Sequence, residues 1–338
     1  MEENRMNVSD GSEMNVSVTD ETVKGDSVSD EPVISRLKKQ MCEYFVGKES
    51  VVDDVLICLL AGGHILLEDV PGVGKTTLAK TLSKSVDLDF GRIQFTPDTL
   101  PSDVIGTTIY NMKTGEFVYR EGSVMHQIVL ADEINRTSPK TQASLLEAME
   151  EGRVTVDGKT YPLPDPFMVI ATQNPVEFMG TYPLPEAQTD RFMMRISIGY
   201  PGAEEEIRLA GNFLNGKVAE SITSICSAEE LKEMKTAVKN VHLSEGLIQY
   251  IQQMTEITRQ EKRFVIGASP RAMLSLIRAS QARAFLSGRD FVKPDDVKEV
   301  AVNVLHHRLS LTSDAVIQNE DIDKIVKELT LKVKVPMK

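Results

Sequence analysis

The amino-acid sequence predicts an α/β fold: a mostly parallel sheet covered by helices on both faces, followed by a helical second domain. Three observations predict it. Short apolar runs alternate with helical or turn-rich stretches up to residue 200, one of those runs stops at a glycine-bearing loop that opens a helix, and strand signals largely cease after Tyr200-Pro201. Alternating strand and helix imply parallel strands joined by crossovers, with ligands gathered at the carboxyl ends of the strands.

Length and charge are compatible with this. The 338 residues leave room for about two domains, and 41% apolar content is enough for sizeable cores. Of the formal net charge of −12, residues 1–32 contribute −7 through nine acids and two bases, so the remainder is only mildly acidic. No basic run or basic helix face stands out, and the electrostatic footprint of a duplex-binding protein is missing. The N-terminus is acidic and has no apolar signal segment. Val51 to Leu67, the longest apolar region, is broken by Asp53, Asp54 and Gly62-Gly63-His64, short of the about 20 residues of a membrane span. Cys42, Cys58 and Cys226 form no Cys-x-x-Cys pair and read as packed thiols of a reducing, cytoplasmic setting.

Taken in order, residues 1–32 are polar, lack aromatic residues and nearly repeat themselves (MNVSD, MNVSVTD), the composition of a disordered acidic tail. Residues 33–200 form the predicted nucleotide-binding domain. Glu49 to Leu60 has helical spacing, and buried strands are expected at His64–Leu67, Arg92–Phe95, Gln127–Asp132, Phe167–Thr172 and Phe192–Ile198. Two hairpins interrupt the alternation, one turning at Asn111 to Gly115 and one at Asp157-Gly158, a type I′ signal. Hairpins this short bury little by themselves and are expected to project from the sheet, as decoration or as contact surfaces. Between them Ser138 caps a helix with Pro139 at its first position and Leu145, Leu146 and Met149 on its apolar side, ending at Gly152. Residues 201–338 read as helices over Glu204–Phe213, Ala228–Val238, Leu247–Thr258, Pro270–Leu286, Pro294–His306 and Glu320–Lys332. Their start signals include Ser227 with Glu230, and Ser269 before Pro270.

The chemistry gathers around HILLEDVPGVGKTTLAKTL, His64 to Leu82. Backbone N–H groups of the Asp69–Gly74 loop and of the first helical turn lack intrahelical partners and face the positive end of the helix dipole, an arrangement suited to a polyphosphate. Gly72 and Gly74 allow close backbone approach. Lys75 would reach the β- and γ-phosphates, and the Thr76 hydroxyl would ligate Mg²⁺. Asp69 stands where the usual phosphate-loop pattern has glycine; Asp tolerates unusual backbone angles, but its carboxylate must point away from the phosphates. Asp132 and Glu133 end a buried strand. Beside a phosphate loop, Asp132 would hold the Mg²⁺ shell and Glu133 would polarise the attacking water. Asn174 ends the fourth strand, where it could orient that water or contact the γ-phosphate; Asn before Pro is also a turn former. Arg191 precedes the last strand and Arg271 begins a helix; isolated arginines are usually solvated or paired with an acid. His126, near a strand start, reads as structural.

EDVPGVGKTT, LADEINR with SPKTQASLLEAMEEG, ATQNP, YPLPEAQTDRF and GASPRA, in this order, resemble the MoxR family of AAA+ ATPases over Val33 to the C-terminus. The resemblance implies a P-loop AAA+ core with two β-hairpin inserts and an all-helical lid domain. It implies Walker A at Gly72, Val73, Gly74, Lys75, Thr76 and Thr77, Walker B at Asp132 and Glu133, sensor one at Asn174, an arginine finger at Arg191 and sensor two at Arg271. Val46-Gly47 fits the adenine-side box, and the hairpins resemble the helix-two insert and the pre-sensor-one hairpin. Asp69 is common in this family's loop, whereas Gly122-Ser123, Lys48 and the long acidic tail depart from the family pattern without touching a catalytic position. Members are similar in using ATP and Mg²⁺ as oligomeric rings, often hexamers, to remodel or mature client proteins, many with von Willebrand factor A domains. The rival readings are a nucleic-acid-associated ring motor or loader, an ATP-dependent binding switch without remodelling and, more distantly, a subunit driving metal insertion.

Overall fold

Successive residues of the inner strands are buried in turn against two different apolar layers, one on each face of the sheet. In β1 (Ile65–Glu68), Ile65 and Leu67 face one layer and Leu66 the other. This period of two is the geometry of a pleated strand covered on both sides. The structure is a computed structural model and describes residues 31–174, 181–217 and 219–336. The acidic tail up to residue 30 and the predicted turn residue Pro175 lie outside the described residues.

In chain order, α1 (Val33–Tyr44) and α2 (Glu49–Ala61) precede β1. After β1 come the loop, α3 (Lys75–Ser85), β2 (Phe90–Gln94), the short α4 (Pro101–Ile105), the hairpin β3 (Thr107–Asn111) and β4 (Glu116–Arg120), and β5 (Ile128–Asp132). Next are α5 (Pro139–Glu151), the hairpin β6 (Arg153–Val156) and β7 (Lys159–Pro162), β8 (Met168–Gln173), the one-turn α6 (Glu186–Thr189) and β9 (Met194–Ile196). The central sheet has the order β2-β5-β8-β1-β9 with every pairing parallel, so all five carboxyl ends share one edge. Each predicted central strand is present within one or two residues. Ser138 caps α5 by accepting from Thr141 N, and Gly152 closes it in the left-handed region (φ 63°).

The C-terminal region contains α7 (Ala203–Leu214), α8 (Ala228–Lys239), α9 (Glu245–Gln260), α10 (Pro270–Leu286), α11 (Pro294–Leu305), α12 (Ser313–Ile317) and α13 (Ile322–Lys332). It departs from an all-helical expectation: β10 (Phe264–Ile266) pairs antiparallel with β11 (Ser310–Leu311), and His242 bridges to Phe291. The predicted box at Ser227 is formed, with Ser227 N donating to Glu230 Oε2 at 2.7 Å. One apolar cluster runs without a break from α1 and α2 across the sheet face into α9, α10, α11 and α13.

The two hairpins differ. The β3–β4 hairpin projects, with Tyr110, Met112 and Phe117 exposed. The β6–β7 hairpin does not merely project, because Val154 and Val156 alternate inward and are buried. Tyr119 stacks on Tyr161 with ring centroids 3.9 Å apart, joining one hairpin to the other.

Candidate functional site

The loop after β1 owes its shape to two glycines and one buried acid. Gly72 and Gly74 have φ of 87° and 91°, a region that L side chains rarely adopt. Gly74 also starts α3, whose N-terminus carries no side-chain cap, so its first-turn N–H groups are left for a ligand. Asp69 shows why the missing glycine is tolerated, and the reason differs from the one the sequence suggests. Its backbone is not among the positive-φ residues of the described chain. Its side chain is buried and turned away from the loop mouth, accepting from Gly199 N at 3.0 Å, Ser197 Oγ at 3.1 Å and Ile198 N. Asp69 thus fastens the loop to the chain leaving β9. Its carbonyl accepts from Lys75 Nζ at 2.6 Å.

Lys75 is held below the ordinary lysine value by burial, opposed by the attraction of Asp69, Asp132 and Glu133. Lys75 follows β1 and the two acids end β5, at the shared carboxyl edge of one parallel sheet. Register explains the convergence: Gln94 lies opposite Asp132 on β2 and β5, and Glu68 lies opposite Gln173 on β1 and β8. Asn174, directly after β8, is buried at this edge.

The two acids are oriented by neighbours that sequence reasoning did not single out. Asp132 Oδ1 accepts from Thr172 Oγ1 at 2.6 Å, and Oδ2 from Arg92 Nη2 at 2.6 Å. Glu133 Oε2 accepts from Gln94 Nε2 and from Arg136 Nη1, each at 2.9 Å. Glu133 itself sits in the left-handed region (φ 57°, ψ 49°), unusual for a residue with a long side chain. Arg92 and Gln94 had one legible signal, their i, i+2 spacing on a strand, which puts both on one face.

On the other side of the loop, Val46 and Gly47 line a cavity of ≈ 190 Å³ with Gly72, Val73, Gly74 and Thr77. Phe45 closes it; a Cβ on Gly47 would meet the Phe45 ring at 2.7 Å. Tyr200 and Leu209 bring the chain after β9 to the same cavity. These are the residues that could hold a flat heterocycle beside the loop, leaving Gly72 to Lys75 for its phosphates.

The residues also fit a divalent cation. Thr76 and Asp132 supply hard oxygen donors, and each carboxylate oxygen keeps a further lone pair. Among the described residues there is no cluster of three or more His, Cys, Asp or Glu, so a cation here would depend on the ligand's own oxygens, as Mg²⁺ sites often do.

Arg191 and Arg271 are not brought to this edge. Arg191 lies three residues before Met194, which pairs with Ile65 at the start of β1, and Met193 N donates to His64 O at 2.8 Å. At about 3.3 Å per residue, the length of β1 puts roughly 10–13 Å of strand between that edge and the phosphate loop. Arg271 opens α10 on the same remote edge. Arg191 Nη2 lies 3.3 Å from Glu150 Oε2, and Arg271 Nη2 bonds Glu150 Oε1. Arg278, Arg308, Asp190 and His64 complete a cavity of ≈ 240 Å³ there. His126, read as structural, pairs with Asp89 beside the start of β5.

The chain has relatives among known proteins. Residues 64–194 match the ATPase family associated with various cellular activities (AAA), and residues 256–329 match the AAA lid domain. The chain is 48% identical over 306 residues to the uncharacterized protein YeaC of Bacillus subtilis, covering 90% of this chain and 96% of that one. It is 41% identical to Chaperone MoxR1 of Mycobacterium tuberculosis (86% and 79% covered) and 31% identical to Protein MoxR of Paracoccus denitrificans (79% and 85%). A solved structure from Cytophaga hutchinsonii, assigned as an ATPase, superposes with a TM-score of 0.84 at 42% identity, covering 90% of this chain and 95% of that one. Among the described residues no helix is long and apolar enough to cross a membrane.

Proposed function

The chain belongs to the MoxR family of AAA+ ATPases and is an ATP hydrolase, and on that premise we propose that its sites are completed between subunits of a ring, which uses the hydrolysis to remodel client proteins. Residues 33–200 serve as the nucleotide-binding domain and 201–338 as the lid. The observation that carries the reading is the separation of Lys75 from Arg191 and Arg271 on opposite edges of a parallel sheet. A subunit built this way offers its nucleotide edge to the arginine edge of a neighbour.

Within one site, Val46 and Gly47 hold the base, the Gly72–Thr77 backbone holds the phosphates, and Lys75 leaves the Asp69 carbonyl for the β- and γ-phosphate oxygens. Mg²⁺, held by Thr76 and Asp132, would neutralise charge shared between those phosphates. Glu133, aimed by Gln94 and Arg136, takes the proton of the attacking water, which Asn174 orients. The neighbour's Arg191 and Arg271 offset the charge that develops on the transferred group, a contribution of about 10³–10⁵ in rate for such a finger.

The chaperone name of the Mycobacterium tuberculosis relative and the exposed apolar tip of the β3–β4 hairpin support proteins as clients. The family resemblance extends this to clients with von Willebrand factor A domains and to a hexameric ring, and the free thiols Cys42, Cys58 and Cys226 support a reducing, cytoplasmic setting. Turnover per subunit, measured against protein concentration, tests the shared site: it should rise steeply as subunits associate and fall to a low plateau in Arg191→Ala. Turnover that is independent of concentration and indifferent to that substitution is incompatible with the proposal.

A further inference from the structure

We propose that Glu150 is the positioning residue of the arginine edge, one carboxylate that holds Arg191 of the sheet and Arg271 of the lid side by side for a neighbour's triphosphate. The inference rests on the shared-site reading above and adds to it the group that makes two separate arginines act together.

The geometry is specific. Each oxygen of Glu150 takes one guanidinium, Oε2 that of Arg191 at 3.3 Å and Oε1 that of Arg271. The two cations come from chain segments 41 and 121 residues away from Glu150, and Arg278 and Arg308 line the same cavity. Arg308 is neutralised by Asp190, but Arg191, Arg271 and Arg278 around the same space repel one another. Without an anion between them, half-buried Arg191 and exposed Arg271 would swing apart toward water, where their charges are screened.

The carboxylate is itself fixed from behind. His64 receives a hydrogen bond at Nδ1 from Val169 N (3.0 Å), which leaves Nε2–H to donate to the carbonyl of Met149 at 3.2 Å. The residue before Glu150 is therefore tied to the start of β1. On the lid side, Ser269 caps α10 and donates to Asp190, the neighbour of Arg191 in the chain. Glu150, Arg191 and Arg271 each stand one or two residues from a pinned backbone position. A neighbour's phosphate oxygens would then meet two guanidiniums that already stand side by side.

Subunit mixing tests the assignment, because Glu150 should act only through the subunit that donates arginines. Glu150→Gln alone should keep nucleotide affinity and lose about 10²-fold in kcat, the scale of a misplaced catalytic group. Glu150→Asp, which keeps the charge, should retain more of the rate than Glu150→Gln. Mixing Glu150→Gln subunits with Glu133→Gln subunits should restore turnover, since the latter supply an intact arginine edge to the former's intact nucleotide site. A kcat at or above that of the unmodified protein in Glu150→Gln overturns the inference. So does a failure of that mixture to recover while Arg191→Ala mixed with Glu133→Gln does recover. If the Arg191→Ala mixture also fails, the shared site itself is refuted.

Discussion

Arg308 and Asp190 form the buried link between lid and sheet. Nε lies 2.6 Å from Oδ1, and the guanidinium is only 2% exposed. The remaining donors go to the carbonyls of Phe192 (2.7 Å), Met193 (3.0 Å), Asp190 and Val304, and to Ser275 Oγ. A buried arginine that satisfies this many carbonyls fixes the chain before β9 against α10 and α11. Among the described residues, removing it leaves the Asp190 carboxylate with only the Ser269 hydroxyl and deprives the Met193 and Phe192 carbonyls of their charged donor.

Arg308→Ala is therefore expected to lower stability by about 3–5 kcal/mol, the usual cost of breaking a buried pair by deleting one partner. Denaturant unfolding checks this. A midpoint unchanged from the unmodified protein would show that the link is dispensable.

Lys75→Ala should weaken ATP binding by about 10–100-fold, since hydrogen bonds to charged groups contribute about 1.5–3 kcal/mol each. Titration with a fluorescent ATP analogue gives the comparison. The fold should persist, because Lys75 Nζ donates to the Asp69 carbonyl of its own loop and not to a core group.

Glu133→Gln should bind ATP with near-normal affinity and hydrolyse it about 10²–10⁴-fold more slowly, the range of a lost general base. Gln94→Ala, which removes one of the two donors holding that carboxylate, should lower kcat by a smaller factor and leave nucleotide affinity alone. Single-turnover hydrolysis separates the two effects; full activity in Glu133→Gln would reassign the base.

Asp54 gives a pH signature unrelated to the site. Burial, and then the charge of Asp53, push its carboxyl up to about 7, against the opposing hydrogen bond from Asn303 Nδ2 at 2.7 Å. The folded state thus holds a proton that the unfolded state releases above its ordinary value of 3.8. The contribution to stability is complete below that ordinary value and is lost as pH rises through about 7. Asp54→Asn should consequently be more stable than the unmodified protein at pH 8, with the advantage shrinking toward pH 5. Thermal melts at the two values decide it, and a difference that is constant across pH would contradict the assignment.

What the sequence by itself determined is local. The strand, loop and helix around Lys75, the Asp132-Glu133 strand end, the Ser138 and Ser227 caps and the Asp157-Gly158 turn are each written in neighbouring residues, because backbone geometry and hydrogen-bond satisfaction act over one turn or one strand. Even the tolerance of Asp69 was only half legible, since its hydrogen-bond donors at Ser197, Ile198 and Gly199 lie far along the chain. Tertiary structure alone decided which edge each arginine occupies, that Arg92 and Gln94 meet Asp132 and Glu133, and that Glu150 joins Arg191 to Arg271. Those relations depend on strand order and on a lid packed against the sheet. They arise from burial of apolar faces between distant segments, a force without direction that leaves no spacing in the sequence by which the partners of a charged side chain can be read.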